Sequence, residues 1–398
     1  MTSRRFCRPP AVLGAVLIAV ALGLAGVVRP AHAAYLESDS GRSPVPPERI
    51  LPPPPPPLPP DGDSPVARLL SRVTVGQPAW YRGTALFPLV DPRPSRTGQP
   101  MTLDEALRQG ALELAEEAEG RVSGLRVRNR ADRHVFLMAG EYLSGGKQNR
   151  IVREDVLLPP RSGSISVPVY CGEERRWSQA PASFSSGGIL AGKELRSLSA
   201  RESPQGAVWG EIDRMMDAAG VASPTRSYEA LHGDRRVRGE LDEAVRCWHP
   251  VRRPETVGVV AVMGHRVLGL DLFASPELLD RLWEKICRSY AVEPVVRPME
   301  REDSERRRMP LPPLGAVEMF LDAVRQARFV SAGTPGEGQR LEIESSHVDG
   351  TALIWNGEVL HAAVFPGRSP DPEPMPYPVP PMPRPPVMPY DEEMHPTR

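Results

Sequence analysis

The distribution of proline limits where this chain can fold. About half of its 48 prolines lie in two short stretches, 44–60 and 366–398, and the first contains six consecutive prolines. Such a run favours a stiff polyproline II helix and excludes a packed strand or helix. We therefore predict a core domain over 65–366, flanked by a proline-rich linker over 34–64 and a disordered tail over 367–398. The linker is either a spacer that holds the core away from a membrane or cell wall, or a neutral tether.

The first 33 residues have the order of a secretory signal peptide. Several arginines precede residues 11–28, which carry no charge, and Ala31 and Ala33 form a small-residue cleavage site. We predict cleavage after Ala33 and a periplasmic or extracellular location. The alternative is an uncleaved anchor, because an apolar run of this length can just span a bilayer. After cleavage we expect no membrane span.

Charge and cysteine content further narrow the class of protein to which this chain can belong. The formal net charge is -1, so no global basic field attracts nucleic acid, and we expect no nucleic-acid partner. The mature chain keeps Cys171, Cys247 and Cys287. One disulfide and one free thiol could form, with the three pairings left open. Too few cysteines remain for a disulfide-built scaffold, so apolar burial must hold the core.

Alternating apolar and polar residues predict an antiparallel arrangement of strands. Residues 80–89 are typical of a first strand, and 111–171 contain a series of short strands joined by tight turns, among them 134–143 and 150–158. Residues 256–273 fit a hairpin. Asn356 and Gly357, between two further apolar runs, form the dipeptide most typical of a two-residue hairpin turn.

Helix signals follow the strand-rich part. Thr102 begins a capping box before a short helix, and Ser275 begins a helix with a long apolar stripe. Three other helical stretches are expected over 204–220, 227–247 and 319–329. The sequence thus predicts an α+β fold: an antiparallel β-meander and hairpins with about four helices, in a single core domain.

Several sequence blocks carry a family resemblance. They are GTALFPL at 83–89, AGEYLSGGKQNR at 139–150, VPVYCGEERRW at 167–177, GLDLF at 269–273 and the closing VLHAAVF. In these blocks the chain resembles the ARG and rhodanese-phosphatase-superfamily-associated protein domain family, first type. The resemblance spans nearly the whole core and implies one domain. It implies no substrate and no catalytic residue, because the family is a domain of unknown function.

The first candidate site surrounds the adjacent glycines 145 and 146. Its polar residues are Glu141, Lys147, Gln148, Asn149 and Arg150. A tight turn would bring Glu141 near Asn149 and Arg150 across a strand ladder. Backbone N–H groups at paired glycines, with lysine and arginine nearby, could hold an anion such as phosphate or a carboxylate. The alternative, a more common outcome of such a pattern, is a surface hairpin whose charges pair with each other.

The second candidate site is the segment that contains Cys171, Glu173, Arg176 and Trp177. A thiol becomes a nucleophile beside a base or cations. Arg176 and its neighbour Arg175 could supply positive charge, and His265 or His361 could approach in space. The alternative is a strand-end cysteine with a tryptophan packed on the core, which is the more frequent arrangement. His361, between apolar residues on a strand, is itself more typical of a satisfied core residue than of a base.

Metal and cofactor signatures are missing from the sequence. Its histidines occur singly, and it has no paired-cysteine spacing and no carboxylate-rich loop. It also lacks the glycine-rich patterns of dinucleotide and nucleoside-triphosphate sites. We therefore predict no metal site and no cofactor.

Three functions fit these observations. The leading hypothesis is a non-enzymatic exported module that binds an anionic small molecule or an envelope protein through the two candidate sites. The alternative is an enzyme acting on an anionic small molecule, with Glu141 or Cys171 as the reactive group and Lys147 and Arg150 as a charge clamp. The third is a passive spacer in the cell envelope without a ligand.

Overall fold

A computed structural model of the chain describes residues 64–96, 99–117, 123–176, 183–264, 266–297 and 314–367. The predicted signal peptide lies outside these ranges, as do Trp177, His265 and nearly all of the predicted linker and tail. The boundaries predicted for those segments therefore stay predictions.

Eight α-helices occur within the described ranges, more than the four or so expected. They are α1 (Pro65–Arg72), α2 (Leu103–Arg108), α3 (Lys193–Ala200), α4 (Gln205–Ala219), α5 (Tyr228–Gly233), α6 (Arg235–Trp248), α7 (Pro276–Val296) and α8 (Leu314–Arg325). The capping box at Thr102 is confirmed, since Thr102 and Glu105 each accept the other's backbone N–H. The Ser275 cap is also confirmed, because its hydroxyl accepts the N–H of Leu278.

The strands of the described part are short and mostly antiparallel, as predicted. They are β1 (Thr74–Val75), β2 (Ala79–Tyr81), β3 (Thr84–Val90), β4 (Met101–Thr102), β5 (Leu112–Glu116), β6 (Gly124–Asn129), β7 (Val135–Leu137), β8 (Glu141–Gly145), β9 (Arg150–Val152), β10 (Val156–Leu158), β11 (Ile165–Cys171), β12 (Phe184–Leu190), β13 (Thr256–Met263), β14 (Arg266–Leu272), β15 (Arg328–Ala332), β16 (Gln339–Glu344), β17 (Val348–Trp355) and β18 (Glu358–Pro366).

The largest sheet has nine strands. Eight run in the order β1-β3-β13-β14-β18-β17-β16-β15, and β2 pairs with β3. Helices α1 and α8 cover one face, where Leu70, Val260 and Phe320 belong to a shared apolar cluster. Helices α6 and α7 pack against the other side with a larger cluster that includes Trp248 and Trp283. Burial on both faces makes this sheet the centre of a single compact α+β domain.

Two smaller sheets form a β module over residues 101–190. One has the strand order β12-β8-β9-β11-β6-β5, and the other has the order β10-β7-β4 with β4 and β7 parallel. Leu125, Leu143 and Val169 lie in the apolar cluster that the two sheets share. Helix α2 contacts both edge strands of the six-stranded sheet, β5 and β12. That sheet therefore curves until both of its edges lie against one helix.

Two segments expected as single strands are each divided. Residues 134–143 break at Gly140, whose φ is 93°, a conformation that glycine adopts without steric cost. Residues 150–158 break before Asp155, whose carboxylate accepts the N–H of Ala139. The halves enter different sheets, β8 and β9 in one and β7 and β10 in the other. The meander predicted over this region is thus interrupted.

Hairpin turns explain how the remaining predicted strands are arranged. Residues 80–89 form a hairpin rather than one strand, because Arg82 and Gly83 both have positive φ. The turn at Asn356 and Gly357 is confirmed, with φ of 52° and 76°. The hairpin over 256–273 is confirmed as β13 and β14.

Two further properties concern membranes and thiols. None of the helices in the described ranges is long and apolar enough to cross a bilayer. Cys171, Cys247 and Cys287 are free thiols, so none of the three pairings left open occurs among them. Cys287 is buried, as expected for a cysteine beside the apolar stripe of α7.

Candidate functional site

The turn between β8 and β9 is held by side chains that accept its backbone N–H groups. Its glycines, Gly145 and Gly146, have φ of 133° and 57°. The N–H of Lys147 donates to Glu116 Oε1 at 2.8 Å, and the N–H of Asn149 donates to Glu173 Oε1 at 2.7 Å. Carboxylates of the protein thus occupy the positions where an anion was expected to bind.

The structure brings the two candidate sites together. Strands β9 and β11 are neighbours, with Arg150 opposite Cys171, and Arg150 Nη1 lies 3.1 Å from Cys171 Sγ. Arg176 donates from Nε to Glu173 Oε1 at 2.8 Å and from Nη1 to the carbonyl of Gly146 at 2.9 Å. The turn at 145–150 and the segment 171–176 therefore form one continuous region, which we call the turn–segment surface. Most of its residues are buried, and its exposed part is Glu174 and Arg175.

Helix α5 supports this surface from beneath. Asn149 is buried, and its Nδ2 lies 3.3 Å from Ser227 Oγ and 3.2 Å from Glu229 Oε2. Ser144 donates to the other oxygen of Glu229 at 2.8 Å. Tyr142 OH lies 3.1 Å from Ser227 Oγ. Because several elements fix Asn149, the backbone of the turn is rigidly placed.

Gln148 completes the contact between the two segments. Its Nε2 lies 3.3 Å from the carbonyl oxygens of both Glu173 and Glu174. Trp209 of α4 donates to the same Glu173 carbonyl at 3.1 Å. Trp177, the last residue of the predicted site, falls outside the described residues.

Cys171 lies in a setting that keeps its thiol protonated. Burial raises the pKa of Cys171, and the nearby Arg150 only partly offsets this. The ring nitrogens of His361, one of the two histidines considered as a base, both contact other groups, Asp155 Oδ2 at 2.7 Å and Asp271 Oδ1 at 3.0 Å. His361 is thus a paired core residue, the interpretation that its sequence position favoured.

Glu141 lies apart from the rest of the predicted site. The ladder pairs Tyr142 with Ile151. Glu141 therefore lies one position beyond this pair on its own strand, and two positions along the ladder from Arg150. Its Oε1 lies 2.5 Å from Lys285 Nζ, which also contacts Asp104 Oδ2 at 2.8 Å. The expected contact with Asn149 and Arg150 does not form, because the strand register directs Glu141 to α7 and α2.

Lys285 is charged in this buried setting. Burial alone would lower its pKa, but the carboxylates of Glu141 and Asp104 raise it above its ordinary value. The cluster joins the β module to α7 through side chains of both parts.

A second buried cluster lies between the nine-stranded sheet and the β module. Arg196 of α3 makes two bonds to Asp271 of β14, and His361 of β18 bridges Asp271 and Asp155. All four side chains are buried. Burial lowers the pKa of His361, but the two aspartates raise it to about 9. The imidazole is therefore cationic at neutral pH, and the four charges balance.

Sequence reasoning named Glu141 and His361 but missed the other members of these clusters. Asp271 and His361 each interrupt an apolar strand, and a charged residue in such a position indicates a buried partner. That signal was available for both. Glu116 and Lys285 gave no comparable signal, because each stands beside another charged residue in the sequence.

Metal-binding groups show no clustering in the described ranges. No set of three or more histidine, cysteine, aspartate or glutamate side chains there could hold a metal ion. The polar side chains of the turn–segment surface instead contact one another.

Fold and clusters together define a single-domain α+β protein in which a curved β module packs on a larger sheet through buried ion pairs. A family model, the ARG and Rhodanese-Phosphatase-superfamily-associated Protein domain, matches residues 72–365. The chain belongs to this family, as its sequence blocks indicated. No curated protein and no solved structure matches the chain.

Proposed function

We propose that this protein is an exported module that binds a ligand or an envelope protein through the turn–segment surface. The observation that carries the proposal is the convergence of two polar segments, 145–150 and 171–176, on one supported surface. Polar groups on a rigid β scaffold are a common basis for recognition. Export rests on the apolar leader over 11–28 and the cleavage site at Ala33.

The exposed part of the surface has a fixed backbone. The N–H groups of Glu174 and Arg175 both donate to the carbonyl of Thr225, at 3.2 and 3.1 Å. The Arg175 side chain is 59% exposed. A charged side chain presented from a fixed backbone loses less conformational freedom on binding than one on a mobile loop.

A ligand screen tests the proposal. The purified chain is screened for melting shifts against nucleotides, sugars and phosphorylated metabolites, and hits are measured by calorimetry. We expect Arg175→Ala to weaken binding of a hit at least about tenfold, the loss typical of an interface arginine. Arg130→Ala is a matched control, because Arg130 is 58% exposed outside the surface. A hit that binds the natural chain and both variants, Arg175→Ala and Arg130→Ala, equally would place the binding site elsewhere.

The enzymatic alternative has less support. Its reactive groups would be Glu141 or Cys171, with Lys147 and Arg150 as the clamp. Glu141 contacts Lys285 rather than the clamp, and burial raises the pKa of the Cys171 thiol. A buried, protonated thiol is a weak nucleophile. The binding hypothesis uses the observed contacts without moving these groups.

A further inference from the structure

Arg150 is a buried cation with incomplete partners. Its side chain is only 2% exposed. Nη1 lies 3.4 Å from Gln148 Oε1 and 3.1 Å from Cys171 Sγ, and Nη2 lies 3.4 Å from Glu116 Oε1. Among the described residues, Nε has no hydrogen-bond partner. Guanidinium groups bind carboxylates best through two parallel bonds, and Arg150 makes no such pair.

Two other arginines of this fold have closer counter-charges than Arg150. Arg196, equally buried, also leaves Nε without a partner among the described residues, but it makes bonds from both Nη atoms to both oxygens of Asp271. Arg176 donates to Glu173, to Asn149 and to the carbonyls of the turn. A buried charge without a close counter-charge is unfavourable. Arg150 therefore lies in a setting that a closer anion would complete.

Glu116 is the one described carboxylate that contacts Arg150, and it is only partly buried. Its side chain is 25% exposed and stands at the end of β5, an edge strand of its sheet. Its Oε1 accepts the N–H of Lys147 at 2.8 Å but lies 3.4 Å from Arg150. Glu173, in contrast, is buried and accepts both Asn149 N–H and Arg176. Of these two carboxylates, Glu116 can leave without breaking the buried network.

We propose that Arg150 and the N–H of Lys147 form a receptor for a carboxylate or phosphate group, and that Glu116 occupies this receptor until a ligand displaces it. The ligand oxygens take the place of Glu116 Oε1 and complete the partners of Arg150, while Gln148 Oε1 and Cys171 stay on the far amino group. Glu116 then turns to solvent. This inference deepens the proposed function by naming its ligand class, and it rests on that function.

Neutralising Glu116 tests the inference. We expect Glu116→Gln to bind inorganic phosphate about fivefold more tightly than the natural chain, because it removes a partly exposed ion-pair competitor. Glu113→Gln is the matched control. Glu113 lies on the same strand but pairs with Arg130, so it changes the net charge equally without opening the receptor. We expect it to match the natural chain.

The readout is the melting midpoint of the full chain titrated with phosphate, with acetate, and with chloride at equal ionic strength. Chloride corrects for general screening. A larger response to phosphate identifies a phosphorylated ligand, and a larger response to acetate identifies a carboxylate ligand. In the Glu116→Gln background, we expect Arg150→Lys to weaken the response, because lysine keeps the charge but loses the planar fork.

Equal half-saturation in Glu116→Gln and the natural chain would overturn the inference, and so would an equal gain in Glu113→Gln. Because Glu116 is partly exposed, we expect Glu116→Gln to fold. Its phosphate titration then tests the inference even if Arg150→Lys does not fold. A failure of this inference can be told apart from a failure of the proposed function. A screened ligand that binds and depends on Arg175 would keep the binding surface and discard only the receptor at Arg150.

Discussion

At the scale of single residues, the buried charges of this protein differ in how completely they are paired. Arg196, Asp271, His361 and Asp155 form a closed set with balanced charge. Arg150 has one carboxylate partner at 3.4 Å. The members of a closed set depend on one another and offer nothing to a ligand, whereas an incompletely paired cation attracts one.

Removing one member of the closed set should be costly. Asp271→Asn leaves Arg196 and His361 without a shared carboxylate, and we expect a loss of about 3–5 kcal/mol in the free energy of unfolding. Denaturant unfolding measures this loss. Asp322→Asn, which removes an exposed partner of Arg325, is the control and should change stability by about 0.5 kcal/mol or less. Similar losses in both variants would contradict the importance of the buried cluster.

His361 should make stability depend on pH. Its pKa is raised from 6.5 to about 9 in the folded protein. The contribution of His361 to the free energy of unfolding is therefore complete below pH 6.5. It is lost as the pH rises through 9, by about 3 kcal/mol in total. Urea unfolding between pH 6 and pH 9.5 measures the decline. We expect His361→Gln to flatten it, and an unchanged slope in that variant would assign the pH dependence to other groups.

At the scale of secondary-structure elements, turns and caps decide where strands and helices begin and end. The caps at Thr102 and Ser275 and the turn at Asn356 and Gly357 were predictable, because each depends on neighbouring residues. The break at Gly140 was not. It depends on Asp155 accepting the N–H of Ala139 and on Ala191 donating its N–H to Gly140 O, and these contacts join distant parts of the chain.

The candidate site divides in the same way. The segments 145–150 and 171–176 were identified because polar residues cluster at glycine turns. Their pairing with Glu116 and with α5 was not, since it requires the strand order of the β module. Glu141 was assigned to the wrong partner because the observed register places it two positions from Arg150, and the register decides which side chains meet.

Gly145 should be essential to the turn. Its φ of 133° and its contact with β12 leave no space for a Cβ, which would collide with the carbonyl oxygen of Ser183. We expect Gly145→Ala to cost about 3 kcal/mol or more in unfolding free energy. Gly110→Ala is the matched control. Gly110 has a positive φ of 63° but open space around it, so about 1–2 kcal/mol is expected. Equal costs would show that the close contact does not matter.

At the scale of the whole molecule, two charge clusters join the β module to the rest of the domain. Lys285 links α7 to β8 and α2, and His361 links β18 to the loop before β10. The apolar cluster between them includes Tyr142, from the module, and Trp283, from α7. The module therefore shares its interior with the larger sheet.

This shared interior predicts one unfolding transition. Differential scanning calorimetry of the purified chain should show a single cooperative peak for the core, with equal calorimetric and van't Hoff enthalpies. Two resolved peaks would show that the β module and the nine-stranded sheet unfold separately, which would contradict the single-domain description.

The most direct consequence of the proposal is that an anionic group of a ligand binds at Arg150. Arginine-labelled protein observed by nitrogen-15 NMR tests it directly, with the Nε–H resonance of Arg150 assigned from its loss in Arg150→Lys. We expect this resonance to shift saturably with phosphate or a screened anionic ligand, and at lower concentration in Glu116→Gln. A resonance that stays in place while the ligand binds would show that Arg150 does not receive the anion.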